Sequence, residues 1–420
     1  MNSKKKVLVL GGKPIGSVEL VQKLKEKDLY VIVTDYLPLD DSPAKRIADE
    51  AWDISTAEVD LLSRRIIDEN ISAIMTGVHE FNINRMLDIC EKTSLPTYCT
   101  KETWKYCDNK GDFKELCIKN SIPVAKTYSL EQILQNQGVT YPLIVKPIDG
   151  SGSRGFHVCE NADEVKKYYK LATQFSPSGH VLIEQFIPYD AVIIHYTMIK
   201  GKCYYSGMSD KISVKFKSTG ASVMGIQTFP SKGETSYLES LNDQALKMFE
   251  SAGFTDGPIW IEAFYDGENT FIFNEMGYRF GGSLTYYPVR YFTGIDQMEL
   301  MIDNALGNKT KAEDINVSIP GKNYCILPLH IKAGKIISVQ FDENLEDSAD
   351  LQALVPVHFE GDTIQNWGSA QQVYAYAHLL YTDKADLVDK VENLLKGVRV
   401  IDENDNNMIY TLFDVNSIKI

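Results

Sequence analysis

The stretch Ile259–Gly282, IWIEAFYDGENTFIFNEMGYRFGG, decides the fold. Two apolar runs flank Tyr265-Asp266-Gly267-Glu268, a turn signal, so the segment predicts a β-hairpin. Glu262 and Glu275, one on each run, can then fall on the same face. Two carboxylates on one face repel unless a cation or a proton lies between them. Arg279 follows Glu275 by four residues, which leaves a structural ion pair as the alternative to a metal site.

The choice between them turns on a second stretch, Tyr141–Gly155, YPLIVKPIDGSGSRG. It reads as an apolar strand ending in Lys146, followed by a loop rich in glycine and serine. The loop lacks the G-x-x-x-x-G-K-[ST] spacing of a P-loop, and such loops alone are more often turns than phosphate cradles. With Lys146 just upstream, an ammonium and a run of unencumbered N–H groups suit a polyphosphate, and a carboxylate pair suits magnesium on it. The two stretches together predict that the chain uses ATP. Lys110, in DNKGDF, is a candidate second cation or a solvated surface lysine.

Working outward, residues 4–98 alternate strand and helix: KKVLVLGG, SVELVQKLKEK, LYVIVTDY, STAEVDLLSRRIIDEN, ISAIMTGV and INRMLDICEKT. Such alternation predicts an open parallel sheet. Ser55 and Glu58 have the spacing of a capping box. GGKPIG resembles a dinucleotide fingerprint, with Asp35 as a candidate ribose ligand or a sheet-edge turn residue. Lys13 stands where the middle glycine should be, which argues against backbone approach to a pyrophosphate. Beyond residue 99 the texture is α+β, with a hairpin turning at Lys200-Gly201-Lys202, and residues 308–420 are mostly short strands with one good helix, KADLVDKVENLLKG.

The chain of 420 residues is too long for one small domain, and its net charge of −14 argues against a chain-wide nucleic-acid or anionic-membrane surface. No apolar stretch reaches the roughly 20 residues that span a bilayer. The apolar run after MNSKKK is only four residues long and reads as a first strand rather than a signal segment. Seven cysteines without a CxxC pair predict reduced thiols and a cytoplasmic location. The histidines show no HExxH or His-x-x-x-His spacing, so catalytic zinc is not expected.

This combination resembles the ATP-grasp superfamily over the length of the chain. The resemblance implies α/β and α+β architecture: a parallel α/β pre-ATP-grasp domain (1–98), a two-subdomain ATP-grasp fold (99–307, lid about 125–190) and a β-rich C-terminal region (308–420). It implies that Lys110 and Lys146 are the two nucleotide lysines, and that Ser151, Gly152, Ser153 and Gly155 belong to the mobile loop that closes on the phosphates. Glu184, Gln185, Phe186 and Ile187 match the hinge that meets adenine, with Asp190 in the place of a ribose-binding acid. Glu262 and Glu275 match the metal ligands for Mg²⁺ (or Mn²⁺). Arg279 matches the arginine of the E-x-N-P-R signature, in a catalytic role shared with Lys146. One departure stands out: Gly277 and Tyr278 occupy the places of that signature's asparagine and proline, which implies a missing metal ligand.

The implied reaction is phosphorylation of a carboxylate by ATP to an acyl phosphate, which an amine then attacks. Carboxylate and amine would be small molecules such as amino acids, and a homodimer is a reasonable expectation. Two alternatives are an ATP-dependent carboxylase of purine or biotin type, since TGVHEFNI (76–83) is faintly like the purine carboxylase's acidic motif, and a nucleotide-binding module with weakened catalysis, motivated by Gly277.

Overall fold

The computed structural model describes residues 4–149, 155–216, 222–308, 321–346 and 348–418. The first strands are short, apolar and buried on both faces, the pattern of a parallel sheet covered by helices. β1 (Lys6–Leu10), β2 (Tyr30–Thr34), β3 (Glu50–Trp52) and β4 (Ile71–Thr76) form a four-stranded parallel sheet in the order β3-β2-β1-β4. The helices α1 (Ser17–Glu26), α2 (Pro43–Ile47), α3 (Val59–Asp68) and α4 (Glu80–Thr93) connect and flank it.

One expectation fails in this region, and one open alternative is decided. The helix predicted from Ser55 begins only at Val59, and no capping box forms; Ser55 Oγ accepts the Ala57 N–H at 3.3 Å, closing a local turn instead. Asp35 is not left for a ribose. Its carboxylate accepts the N–H groups of Gly12 (2.6 Å) and Leu37 (2.7 Å) and the Ser42 hydroxyl (2.9 Å), and lies 3.3 Å from the buried Lys45 ammonium. The loop after β1 is folded onto Asp35 so closely that a Cβ on Gly12 would meet Ser42 Oγ at 2.0 Å. Lys13 turns away to pair with Asp362 at 2.8 Å, tying this loop to the C-terminal region.

Two helices follow, α5 (Lys101–Asp108), capped reciprocally by Thr100 and Thr103, and α6 (Lys110–Lys119), capped by Asn109. A small antiparallel sheet comes next, with β5 (Leu143–Pro147) between β6 (His157–Cys159) and β7 (Val181–Gln185). It has its own apolar core, which includes Leu143, Val145, Val165 and Ile183. The main sheet has eight strands. β8 (Asp190–Ile199), β9 (Lys202–Lys215), β10 (Ser222–Phe229), β11 (Gly257–Tyr265), β12 (Phe271–Gly277) and β13 (Asn323–His330) are joined by the two C-terminal strands Leu351–Pro356 and Val373–Tyr381. Both predicted hairpins form, β8–β9 at Lys200-Gly201 and β11–β12 at Asp266-Gly267. Strand β13 runs antiparallel beside β10, so the C-terminal strands extend the same sheet that carries the paired carboxylates.

Candidate active site

The site forms where the small sheet faces the β11–β12 end of the large one. On β5 and β7 the register sets Ile144 opposite Glu184 and Lys146 opposite Leu182, so Lys146 and Glu184 share a face. Lys146, only 8% exposed, sits 2.5 Å from the Glu184 carboxylate. The other Glu184 oxygen pairs with Lys114, which also donates to the Ala125 carbonyl at 2.8 Å. Burial pushes the Glu184 carboxyl upward, but Lys146 and Lys114 together outweigh it and hold the group below its ordinary range. Burial depresses the Lys114 ammonium, against the pull of Glu184.

Lys114 went unseen in the sequence. It lies one helical turn after Lys110 on α6, a spacing that could have suggested it. Its partner Glu184, one of the hinge residues read as meeting adenine partly through backbone groups, turns its side chain to the lysines. The Gln185 and Phe186 N–H groups donate to Lys126 O (2.9 Å) and Pro142 O (3.1 Å). Ile187 is buried, and Asp190 is exposed at the start of β8.

The carboxylate pair stands as the hairpin predicted, with Glu262 directly opposite Glu275. Glu262 pairs with Lys211 of β9 at 2.5 Å, a lysine that β-alternation in KISVK hid among neighbouring charges. Burial raises the Glu262 carboxyl, and Lys211, followed by the Asn274 amide and Lys146, brings it below the ordinary range. Glu275 goes the other way: burial and then the Glu262 charge raise it, against the pull of Lys110, Lys146 and Lys211.

Between these strands the register slips. Glu262 pairs with Glu275 but Ala263 pairs with Phe273, so Asn274 is the extra residue of a β-bulge. The bulge turns Asn274 to the side of the carboxylates. Its Nδ2 donates to Glu262 Oε1 at 3.0 Å, and its Oδ1 accepts from Lys146 Nζ at 3.2 Å.

An amide therefore stands in the site, though not where the signature puts it. Gly277 lies opposite Trp260, and a Cβ there would meet the indole at 2.3–2.4 Å. The glycine answers to indole packing, and an asparagine at 277 would collide with the ring. Gly277→Ala should therefore destabilise the chain by about 1–3 kcal/mol, as overpacked sites do. Denaturant unfolding of the variant checks it, and an unchanged midpoint would show that Trp260 moves aside freely.

Arg279 donates to Glu80 Oε1 at 2.7 Å and to the Phe280 carbonyl at 2.8 Å, with its guanidinium 5.2 Å from the Trp260 ring centroid. Its buried Nε has no partner among the described residues. Glu80 opens α4, so the arginine links the hairpin to the first sheet's edge. Of the glycine-rich loop, Ser151, Gly152 and Ser153 lie outside the described residues. Gly155, at φ +74°, adopts a conformation that favours glycine. At the loop's near end, Asp149 accepts the Ser176 hydroxyl (2.5 Å) and the Ser178 N–H (2.9 Å).

Residues 110–202 match the family described as carbamoyl-phosphate synthase L chain, ATP binding domain. The chain is 16% identical to the L-amino acid ligase of Bacillus licheniformis, with a TM-score of 0.73 over 96% of this chain and 100% of that one. The fold is the ATP-grasp fold. A second ATP-grasp structure, the biotin carboxylase domain of the Hydrogenobacter thermophilus 2-oxoglutarate carboxylase, solved with MgADP, ADP and bicarbonate, aligns at a TM-score of 0.78 and 16% identity, over 98% of this chain and 92% of that one. In sequence, the chain is 25% identical over 203 residues to the formate-dependent phosphoribosylglycinamide formyltransferase of Wolinella succinogenes, covering 47% of this chain. The chain spans about half the length (51%) of that curated relative.

The residues gathered here fit a magnesium-bound nucleotide. Among the described residues no group of three or more histidine, cysteine or acidic side chains could hold a metal by itself. Magnesium on a nucleotide takes one or two carboxylates and completes its shell with phosphate oxygens and water. Glu262 and Glu275 are such a pair, and a cation would relieve the repulsion that burial imposes on Glu275.

Proposed function

We propose that this protein is an ATP-dependent carboxylate–amine ligase. In this reading Lys146 and Lys110 bind phosphate oxygens, Glu262 and Glu275 hold Mg²⁺, and Arg279 binds the anionic group that accepts or carries the phosphoryl. A bound magnesium ion neutralises charge on the transferring phosphoryl group. A carboxylate oxygen bonds to the γ-phosphorus as the bond to ADP breaks. The amine then bonds to the acyl carbon, phosphate leaves with the C–O bond electrons, and the amine gives up its proton.

The observation that carries the proposal is the meeting of two charge clusters of opposite sense. A buried lysine pair around one glutamate faces a carboxylate pair of which one member, Glu262, holds Lys211, and Asn274 bridges the two clusters. Polyphosphate suits the first cluster and a divalent cation the second. The carboxylase reading draws on Glu80, from the TGVHEFNI stretch, which reaches Arg279. The weakened-module reading loses its motive, because the glycine at 277 answers to Trp260 packing.

A cytoplasmic location is part of the proposal, supported by seven free cysteines, of which all but Cys107 are buried. Among the described residues no helix is long and apolar enough to cross a membrane. ADP release measured over pairs of amino acids and small carboxylates, with bicarbonate as a separate arm, tests the activity. The expected result is release only when a carboxylate and an amine are present together. Turnover driven by bicarbonate would favour the carboxylase, and tight ADP binding without turnover on any pair would overturn the ligase.

A further inference from the structure

The six side chains Lys114, Glu184, Lys146, Asn274, Glu262 and Lys211 form one unbroken polar chain from α6, through the small sheet, to the large one. Five of them are ionisable and alternate in sign wherever they touch. Asn274 is the single uncharged member, and it stands between a lysine of the small sheet and a glutamate of the large sheet.

Both ends of its amide are used, the oxygen toward the ammonium and the NH₂ toward the carboxylate. That orientation is fixed by its neighbours, since the reverse would set donor against donor and acceptor against acceptor. Strand alternation would send Asn274 away from Glu275; only the bulge turns it to the carboxylate side.

We propose that Asn274 is a positioning residue that keeps Lys146 and Glu262 one amide apart, so that neither is consumed by the other. Without the amide, opposite charges on facing sheets would close into a direct ion pair. Lys146, already paired with Glu184, and Glu262, already paired with Lys211, would each gain a second direct counter-ion, which nucleotide and cation would have to displace. A charged residue at 274 could not do the same work. Aspartate would bind Lys146 but repel Glu262, and lysine would do the reverse.

The inference rests on the reading of Lys146 as a phosphate ligand, and a double-mutant cycle separates the two. ADP affinity is measured by calorimetry on the full chain, with and without Mg²⁺, for the wild type, Asn274→Ala, Lys146→Met and the double variant. Because Asn274 acts through Lys146, Asn274→Ala should weaken ADP about tenfold, while the double variant should be within about twofold of Lys146→Met. A role in stability alone would leave the two effects multiplying. Multiplying effects, or an Asn274→Ala affinity within twofold of wild type, would overturn the inference while leaving the phosphate reading standing. Lys146→Met without effect would overturn that reading and the inference with it. Should Asn274→Ala fail to fold, Asn274→Ser, which keeps a small polar group on the bulge but cannot span both partners, enters the same cycle with the same outcomes.

Discussion

Lys146→Met should weaken ATP and ADP binding by at least tenfold, about 1.4 kcal/mol. Methionine keeps most of the side chain's bulk and removes the ammonium, with its charge and its hydrogen bond to Asn274. The fold should survive, because Glu184 retains Lys114 as a partner and is not left as a lone buried carboxylate. The loss should be largest for the metal-free nucleotide, in which no divalent cation shares the neutralisation of the phosphates. Calorimetry on a variant shown to be folded by circular dichroism decides the matter. Wild-type affinity would remove Lys146 from the site and with it the phosphate reading of the small sheet.

Glu275→Gln should cost at least about a hundredfold in turnover, of the size seen when one preorganised electrostatic contact is removed. The Mg²⁺ titration of activity should shift to higher concentration at the same time. The wild-type chain should lose metal affinity as pH falls into the raised range of the Glu275 carboxyl, above where an ordinary glutamate protonates, and the glutamine variant should lack that limb.

Stability should move in the opposite direction. Burial and Glu262 raise the Glu275 carboxyl in the folded chain, so the folded state holds a proton that the unfolded state has already released. Stability therefore falls as pH rises from the unfolded value of about 4.3 through the raised one, and stays lower above it. Glutamine removes that penalty. In EDTA at neutral pH, Glu275→Gln should melt at a higher temperature than wild type, a more stable protein that does not turn over. Normal kcat with a normal magnesium titration would reject the metal assignment. A lower melting temperature in EDTA would reject the electrostatic account.

The parts of the site legible in the sequence are those that strand periodicity and turn chemistry carry. Glu262 and Glu275 could be paired across a hairpin because Asp266-Gly267 announced the turn and the flanking runs were apolar. Lys146 could be placed because a short buried strand ended on it beside a glycine-rich loop. The parts that were missed depend on contacts between segments far apart in the chain. Lys211 lies on β9 and Glu262 on β11, 51 positions apart, and they meet only across β8, which lies between those strands. Glu80 and Arg279 are 199 positions apart and meet only when the edge of the first sheet docks on the hairpin. Gly277 looked like a lost ligand because the collision with Trp260 is a cross-strand contact, which one strand read alone does not contain.

By itself, the sequence determined the alternation that builds the parallel sheet, the two hairpins of the large sheet, and the residue types suited to polyphosphate and divalent metal. These follow from local rules, since a side chain's face is set by its place in a period of two or 3.6. Tertiary structure alone decided which amide stands in the site. A one-residue slip in the β11–β12 register overrides alternation, turns Asn274 toward Lys146 and Glu262, and leaves Gly277 beneath Trp260. Register is fixed by how two strands pack and bond together, so no reading of either strand alone could have supplied it.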